Sequence, residues 1–458
     1  MKRSIGAVAV LTVAGMALTA CGQSSSGSDT IELTITRNAI AGGKNAADAE
    51  HIANWVIPKF EAAQKAKGKN VKVTFVPSGV DDEQYKTKLS LDLKSKKGAD
   101  VMDIDGIWAG EFAEAGYIKP LSEVVGAEAD GWDGWSQIPE AVQGLTTYNG
   151  KKYALPIGTD GRVLYFNKTL FQKAGLPADW QPKSWQEVLD AGTKLKNSGV
   201  RTPIQINAGT AMGEATSMQG VLPLLAGAGG EIYKDGKWSG ASQPLKDALG
   251  LYQKIYGGSG LGDPKLQQEA KGRDKSFTEF AAGNIGILME GDYFWRGVVN
   301  PKDGVAKMAD RDQVVGFAMI PAMEPGKGIR GQDFVSMSGG ALRTVNPNSK
   351  HPKEAFELAA FTLSPEALKQ ETKSNVRITP RTDVNKEILT SDPLLMYISE
   401  NVLKLTAYRP PLAVYPQVSA ALQEATAQVV GGTPPDQAAT AYQSKLEGLV
   451  GGAGNIAS

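Results

Sequence analysis

Cysteine and histidine are almost absent from this sequence. Among 458 residues there is one cysteine and there are two histidines. A disulfide framework within the chain is therefore excluded, and a zinc site built from His and Cys ligands has too few donors. The sequence also lacks HExxH, GxSxG and GxxxxGK[ST], so zincin, nucleophile-elbow and P-loop chemistry lack their local geometry. We expect neither a metal nor a cofactor.

An excess of basic residues is missing as well. Lys and Arg number 49, and so do Asp and Glu. Because nothing in this balance favours binding to phosphates, we do not expect nucleic acid as a partner. Beyond the N-terminal apolar run there is no second long apolar segment. A chain of this length with 41% hydrophobic residues can bury a large core, and its length predicts two domains.

The single cysteine, Cys21, directly follows an apolar run. Lys2 and Arg3 precede the uncharged residues 4–20, which is typical of a secretory signal peptide. A membrane-spanning helix needs a longer run, of about 20 residues. The stretch LTAC that ends at Cys21 resembles the lipobox of bacterial lipoproteins, which implies cleavage before Cys21 and lipid attachment to its thiol. The prediction is a signal peptide over 1–20, then a lipidated Cys21 and a flexible Gly/Ser-rich tether over 21–30.

Strand and helix patterns alternate along the rest of the chain. IELTIT (31–36), VKVTFVP (71–77) and ADVMDIDG (99–106) predict strands, with a helix over 46–65 between the first two. A βαβαβ order predicts a parallel, doubly wound sheet that binds ligands at the carboxyl ends of its strands. The alternation restarts after residue 153, and later segments predict strands at TPIQI (202–206), NIGILME (284–290) and FVSMSGGALRT (334–344).

Four longer stretches resemble the extracellular solute-binding proteins of ABC importers, in the branch that includes maltose-binding protein. They are LPIGTDGRVLYFNKTLFQKAGL (155–176), SWQEVLDAGTKL (184–195), FTEFAAGNIGILMEGDYFW (277–295) and SGGALRTVNPNSKHPKEAFELAAFTLSPEA (338–367). The resemblance implies an α/β, two-lobed periplasmic-binding-protein-like fold of type II, in which each lobe is a doubly wound sheet with flanking helices.

The same resemblance divides the chain and assigns it partners. It implies lobe one at 31–157 plus 333–377 and lobe two at 158–332 plus 378–458, joined by hinge strands near 157, 333 and 378. A carbohydrate would then bind in the cleft between the lobes, and hinge closure would prepare it for delivery to a membrane permease. We expect a monomer.

A carbohydrate site needs carboxylates, amides and guanidinium groups around the ring plane, with aromatic side chains against its faces. MEGDYFWRG (289–297) combines these residue types after an apolar strand, and DIDGIW (103–108) follows the third predicted strand. The resemblance also implies an acidic sugar ligand at Asp160 and an aromatic one near the C-terminus. The predicted ligand-binding residues are Asn38, Asp82, Asp105, Trp108, Asp160, Arg162, Glu290, Asp292, Tyr293, Trp295, Arg377 and Tyr408.

Other interpretations of the same residues stay open. Trp295 and Trp108 also suit core positions, and Asp82 and Asp105 also suit helix caps. The same fold could bind a non-sugar solute such as a glycerol phosphodiester. A secreted glycosidase would need two carboxylates about 5 to 9.5 Å apart, for which Glu290 and Asp160 are the available pair. We expect binding rather than catalysis.

Overall fold

The computed structural model describes residues 30–43, 45–80, 82–373 and 376–457. The predicted signal peptide, Cys21 and nearly all of the tether lie outside these residues. Within the described ranges no helix has both the length and the apolar character needed to cross a membrane.

The strands are short and spread over the whole chain. In chain order they are β1 (Ile31–Arg37), β2 (Val71–Pro77), β3 (Val101–Asp105), β4 (Thr147–Tyr148), β5 (Lys151–Lys152), β6 (Leu155–Pro156), β7 (Arg162–Asn167), β8 (Thr202–Gln205), β9 (Tyr233–Lys234), β10 (Lys237–Ser239), β11 (Ile285–Gly291), β12 (Val315–Ala318), β13 (Ile320–Pro321), β14 (Phe334–Met337), β15 (Ala341–Val345), β16 (Thr406–Ala407) and β17 (Ile456–Ala457).

Two larger sheets organise the molecule into two lobes. The first sheet has the order β2-β1-β3-β15-β6, and the second has the order β12-β7-β11-β8. β1 runs parallel to β2 and β3, while β15 is antiparallel to β3. Every residue of β7 and β11 is buried, as expected for central strands covered on both faces. Three strands, β13, β14 and β16, form a small sheet between these two.

Helices cover the sheets. The α-helical segments are Ala46–His51, Ile57–Ala66, Asp82–Lys94, Ala109–Glu114, Leu121–Val124, Ala127–Asp130, Glu140–Gln143, Lys168–Lys173, Trp185–Asn197, Glu214–Thr216, Leu222–Gly227, Gln243–Tyr256, Pro264–Gln268, Gly272–Ala281, Arg311–Val314, Pro352–Phe361, Pro365–Glu371, Thr382–Ile388, Pro393–Tyr397, Tyr415–Val430 and Pro435–Leu449. Single π-helical turns occur at Ile52–Val56, Ser217–Val221, Phe294–Val298 and Ile398–Val402, and 3₁₀ turns at Gly106–Trp108, Asp133–Gln137, Gly144–Thr146, Leu403–Leu405 and Ala453–Asn455.

Local sequence explains individual helix boundaries. The helix Trp185–Asn197 begins after Ser184, whose Oγ accepts a hydrogen bond from the Glu187 N–H at 3.3 Å, as a capping residue does. Apolar residues at helical spacing then bury one face of this helix; they are Trp185, Val188, Leu189, Ala191 and Leu195.

The hydrophobic core extends across both lobes. One cluster joins the second sheet, through Leu164 and Ile204, to Leu249 and Leu422 of two covering helices. A second cluster contains Leu33 and Val101 of the first sheet, Leu394 and Leu403 of the C-terminal third, and Leu288 of the second sheet. The segment between residues 382 and 405 therefore packs against the cores of both lobes.

The chain crosses between the lobes through glycines that touch each other. A Cβ atom on Gly340 would lie 2.2 Å from the carbonyl oxygen of Gly158, and one on Gly161 would lie 2.5 Å from Ile398 Cγ2. Since no larger residue fits at these contacts, the crossing segments must be glycine-rich.

Two details of the sequence prediction need correction. The single strand expected over 334–344 is two strands in different sheets, β14 and β15, because the chain changes lobe at Ser338–Gly340. Residues 376–381 belong to no strand, although a hinge strand was expected near 378. The two-lobed α/β architecture itself is present.

Candidate functional site

A cavity of about 160 Å³ lies at the carboxyl end of the first sheet. Asn38 follows β1 and Asp105 ends β3, so the parallel strands deliver both side chains to the same edge. The cavity is lined by Arg37, Asn38, Asn45, Asp82, Tyr85, Asp103, Ile104, Asp105, Trp108 and Ala341. Four of the twelve predicted residues, Asn38, Asp82, Asp105 and Trp108, thus lie together.

The amide group of Asn38 uses its nitrogen, but not its oxygen, in hydrogen bonds to the described residues. Its Nδ2 donates hydrogen bonds to Val80 O and Asp82 Oδ1, each at 3.0 Å. The side chain is 8% exposed, and its Oδ1 accepts no hydrogen bond from any residue that the structure describes. Because a buried amide oxygen without a donor is unfavourable, Asn38 offers an acceptor to any ligand hydroxyl that reaches this cavity.

Asp105 and Trp108 have both structural and cavity-lining roles. Asp105 Oδ1 caps the Gly106–Trp108 turn by accepting from the Ile107 N–H at 3.0 Å. Its side chain still keeps 45% exposure. The Trp108 ring is 7% exposed and stacks on Phe112 at a centroid distance of 6.3 Å. Surrounding protein partly desolvates Asp105 and raises its pKa above the usual value, and Arg409 opposes this shift.

Arg409 reaches the same cleft from the C-terminal third of the chain. Its Nη2 lies 3.9 Å from Asp105 Oδ1, and its Nη1 lies 3.2 Å from Glu214 Oε1. Glu214 in turn accepts hydrogen bonds from the hydroxyls of Tyr415 at 2.6 Å and Ser419 at 2.5 Å. Asp105 belongs to the first sheet and Glu214 follows β8 of the second, so Arg409 connects the two walls of the cleft.

Asp160 and Arg162 occupy the crossing segment beside Arg409. Asp160 Oδ1 accepts from Arg162 Nη1 and, at 2.7 Å, from the Gly339 N–H. Burial alone would raise the pKa of Asp160, but Arg162 and the Gly339 N–H together lower it below the usual value. The Arg162 side chain is 7% exposed, and among the described parts of the chain its Nε has no hydrogen-bond partner. A Cβ atom on Gly339 would lie 3.5 Å from Arg409 Nη2 and 3.8 Å from Asp160 Oδ1. The Arg409 guanidinium and the Asp160 carboxylate therefore both lie next to Gly339.

Tyr408 lines a second, larger cavity. This cavity has a volume of about 310 Å³ and shares Arg409 with the polar cleft. Tyr408 also packs, partly buried, against the aromatic cluster that contains Trp108. The predicted C-terminal aromatic residue is therefore adjacent to the polar groups.

Two predicted ligand contacts, Glu290 and Trp295, are buried and have internal partners in this structure. Glu290 is fully buried and receives hydrogen bonds from Arg273 Nε and Nη2, each at 2.7 Å. Trp295 is 2% exposed, donates from Nε1 to Asp392 at 3.0 Å, and lies under the Arg311 guanidinium at 3.7 Å. These internal contacts favour a structural role for both side chains, and a ligand contact by either one stays a prediction.

Asp292 is buried beside the crossing segment, whereas Tyr293 and Arg377 make contacts elsewhere. Asp292 is 2% exposed and 3.5 Å from Arg296, its N–H donates to Gly161 O at 3.0 Å, and Asp160 acts on its pKa. Tyr293 is 44% exposed, and its ring packs over Gly297. Arg377 pairs with Glu371 at 2.6 Å and Asp48 at 3.5 Å, in an ion-pair network at the edge of the first sheet.

Sequence reasoning missed Arg409 and Glu214 as site residues. Glu214 follows β8 within AGTAMGEATS, so the rule that identified Asp105, a carboxylate after a buried strand, would also have found it. Arg409 follows the two-residue strand β16, and no local pattern marks it. No group of three or more His, Cys, Asp or Glu side chains in the described ranges is arranged to hold a metal.

Burial makes Asp292 a source of pH-dependent stability. Burial raises its pKa to about 6, with Asp160 adding to the shift and Arg296 opposing it. In an unfolded chain the pKa is about 3.9, so the folded protein binds the proton more tightly. The free energy of unfolding should therefore fall as pH rises from about 4 to about 6.

We expect Asp292→Asn to remove this contribution. Denaturant unfolding between pH 4 and 7 should show a flatter stability profile in the variant than in the wild type, whereas the exposed Asp133→Asn control should follow the wild type. A variant profile as steep as that of the wild type would contradict this role.

Comparison with known proteins identifies the family. Residues 48–369 match the bacterial extracellular solute-binding protein family. A Brucella abortus protein described only as a binding protein is 27% identical over 333 residues, which are 72% of this chain and 74% of the relative. The sn-glycerol-3-phosphate-binding periplasmic protein UgpB of Rhizobium meliloti is 32% identical over 107 residues, covering 23% of this chain and 25% of the relative.

Solved structures show the same architecture. An ABC transporter solute-binding protein from Thermotoga lettingae, bound with α-D-tagatose, is 25% identical with a TM-score of 0.64, covering 92% of this chain and 100% of the other. The sugar-binding protein MalE of Xanthomonas citri has a TM-score of 0.74 at 16% identity, covering 92% and 97%. With the family match spanning most of the chain and the two-lobed fold shared, this protein is a member of the bacterial extracellular solute-binding protein family.

Proposed function

We propose that this protein is the lipid-anchored substrate-binding subunit of an ABC importer. Its ligand is a carbohydrate, with an oligosaccharide as the first choice, and it binds in the cleft between the lobes. Hinge closure around the sugar would create the form that a membrane permease accepts. The observation that carries the proposal is the arrangement of Asp105, Arg409 and Glu214 across the cleft.

The Asp105–Arg409 separation suits an inserted hydroxyl. At 3.9 Å the two groups are too far apart for a direct hydrogen bond. A sugar hydroxyl between them could accept from the guanidinium and donate to the carboxylate. Such charged hydrogen bonds contribute roughly 1.5–3 kcal/mol each, so two or three would account for much of the about −8 kcal/mol of a micromolar site.

Charge favours a sugar over a phosphate ester. The polar cleft holds five carboxylates and three guanidiniums, namely Asp82, Asp103, Asp105, Asp160, Glu214, Arg37, Arg162 and Arg409. Asp160 pairs with Arg162, Glu214 pairs with Arg409, and Asp103 pairs with Arg37 at 3.5 Å. No cation remains for a phosphate among these groups, and an added anion would meet a net negative charge.

A phosphate ligand is nevertheless the second candidate. The partial likeness to sn-glycerol-3-phosphate-binding proteins favours it, while the likeness to a tagatose-bound protein over nearly the whole chain supports the sugar. A secreted glycosidase is not favoured, because Glu290, one of its two carboxylates, is engaged by Arg273.

Calorimetric titration would decide among these functions. We expect stoichiometric binding to at least one member of a panel of mono- and oligosaccharides and none to sn-glycerol-3-phosphate. Chromatography of the same mixtures should show the sugars unchanged. Binding of the phosphate alone would overturn the sugar assignment, and turnover of any sugar would overturn a purely binding role.

The lipid anchor has its own test. Cys21→Ser removes the thiol to which the lipid would attach, so we expect the protein to move from the membrane fraction to the medium. Fractionation followed by immunoblotting measures this, and sugar titration of the released protein should match that of the wild type. Membrane retention of Cys21→Ser equal to that of the wild type would refute the anchor.

A further inference from the structure

An apolar cavity adjoins the polar cleft, and the proposed sugar contacts do not use it. Its volume is about 310 Å³. Most of its lining is aliphatic, including Leu222, Leu225, Ala226, Ile232, Ile329 and Met337. An apolar cavity of roughly 150 Å³ already holds benzene, so this one has room for a phenyl group or a short alkyl chain.

One wall of the cavity continues directly from the polar groups. The helical run from Glu214 to Gly227 begins with Glu214 beside Arg409 and ends with Leu222 and Leu225 in the cavity. Met218 follows Glu214 by one helical turn. Its Cε would lie 4.0 Å from a Cβ atom on Gly339, whose other near neighbours are Arg409 and Asp160. Met218 therefore lies between the charged groups and the aliphatic lining. Along this run, which is kinked at Gln219, the wall changes from charged to aliphatic.

On the opposite wall of the cavity, residues 407–411 also change from a charged to an apolar lining. Arg409 contributes to the cavity lining and also forms the ion pair with Glu214. Its neighbours Ala407, Tyr408, Pro410 and Pro411 also line the cavity. This segment is fixed against the first lobe, since a Cβ on Gly110 would lie 1.3 Å from the carbonyl oxygen of Pro411. Arg409 is therefore a common border of the polar cleft and the apolar cavity.

We propose that the ligand is a carbohydrate with an apolar substituent, such as an alkyl or aryl glycoside. Its sugar would bind to Asp105, Arg409 and Glu214, and its apolar group would enter the cavity lined by Leu222, Leu225 and Ala226. The inference rests on the proposed sugar-binding function and names the ligand class. Burial of each methylene in the cavity strengthens binding about fourfold, until the cavity is full.

A homologous series of glycosides tests the proposal. The probes are methyl, butyl, hexyl and octyl glucosides, galactosides and maltosides, titrated below their micelle concentrations into the full chain. For the sugar that binds, we expect affinity to rise steeply from methyl to hexyl. Equal affinities along a series that binds would overturn the apolar subsite but leave the sugar site intact. If no sugar or glycoside binds at all, the proposed function fails and this inference fails with it.

Substitutions within the cavity localise the effect. Ala226→Phe places a ring in the cavity, so we expect the gain from methyl to hexyl to disappear while methyl glycoside affinity changes less than about twofold. Ala282→Phe, at an exposed position outside the cavity, is the matched control and should keep the full gain. Leu225→Ala enlarges the cavity and should extend the gain to longer chains. An unaltered chain-length dependence in both cavity variants, with thermal unfolding showing them folded, would place the apolar group elsewhere.

Discussion

Arg409→Gln should weaken carbohydrate binding by about 10- to 100-fold, the loss expected for one charged hydrogen bond of roughly 1.5–3 kcal/mol. Arg409 lies between Asp105 at 3.9 Å and Glu214 at 3.2 Å. It can therefore donate a hydrogen bond to a ligand, and its positive charge reduces the repulsion between the two carboxylates. Glutamine keeps a donor but removes the charge that balances them. Isothermal titration of wild type and variant with the same sugar measures the effect.

The control for this prediction is an arginine outside the cleft. Arg201 is 66% exposed and pairs with Glu279 at 3.4 Å, so Arg201→Gln should leave sugar affinity unchanged. An affinity for Arg409→Gln equal to that of the wild type would remove Arg409 from the site and, with it, the observation on which the sugar proposal depends.

Glu290→Gln should act on stability rather than on binding. Glu290 is fully buried, and its carboxylate binds Arg273 at 2.7 Å and Asn207 at 2.9 Å. Removing one partner of a buried ion pair costs about 3–5 kcal/mol, and the 27% exposure of Arg273 favours the lower end of that range. Chemical denaturation should therefore show a large fall in the free energy of unfolding, while the folded fraction binds sugar normally.

An exposed pair provides the comparison. Glu123 and Lys151 are 2.8 Å apart but 50% and 57% exposed, so solvent screens the pair and Glu123→Gln should leave stability nearly unchanged. If Glu290→Gln instead kept its stability and lost sugar affinity, Glu290 would belong to the ligand site after all.

The local sequence pattern predicted the candidate site residues that lie at the ends of strands. Asn38 directly follows β1 and Asp105 is the last residue of β3, and parallel strands place such residues at a common edge of the sheet. Asp160 was assigned through a family resemblance in the crossing segment, and the structure brings it next to Arg409. Whether these residues contact a ligand stays a prediction.

Residue type alone could not separate a ligand-binding role from a structural role at MEGDYFWRG. Carboxylates and aromatic rings have the right chemistry for sugars, but they also form buried ion pairs and core contacts. The choice depends on distant partners: Arg273 engages Glu290, and Arg311 and Asp392 engage Trp295. None of these pairings is visible in the local sequence of β11.

The sequence by itself determined the alternating α/β elements, because hydrophobic periodicity and turn residues act locally and repeat along the whole chain, and the family resemblance implied the two lobes. It also predicted an N-terminal export signal and a lipidated Cys21. Only the tertiary structure placed Arg409 against Asp105 and Glu214, and only it joined the polar cleft to an apolar cavity. These contacts unite segments nearly 200 or more residues apart, and their geometry depends on how the lobes and crossing glycines pack.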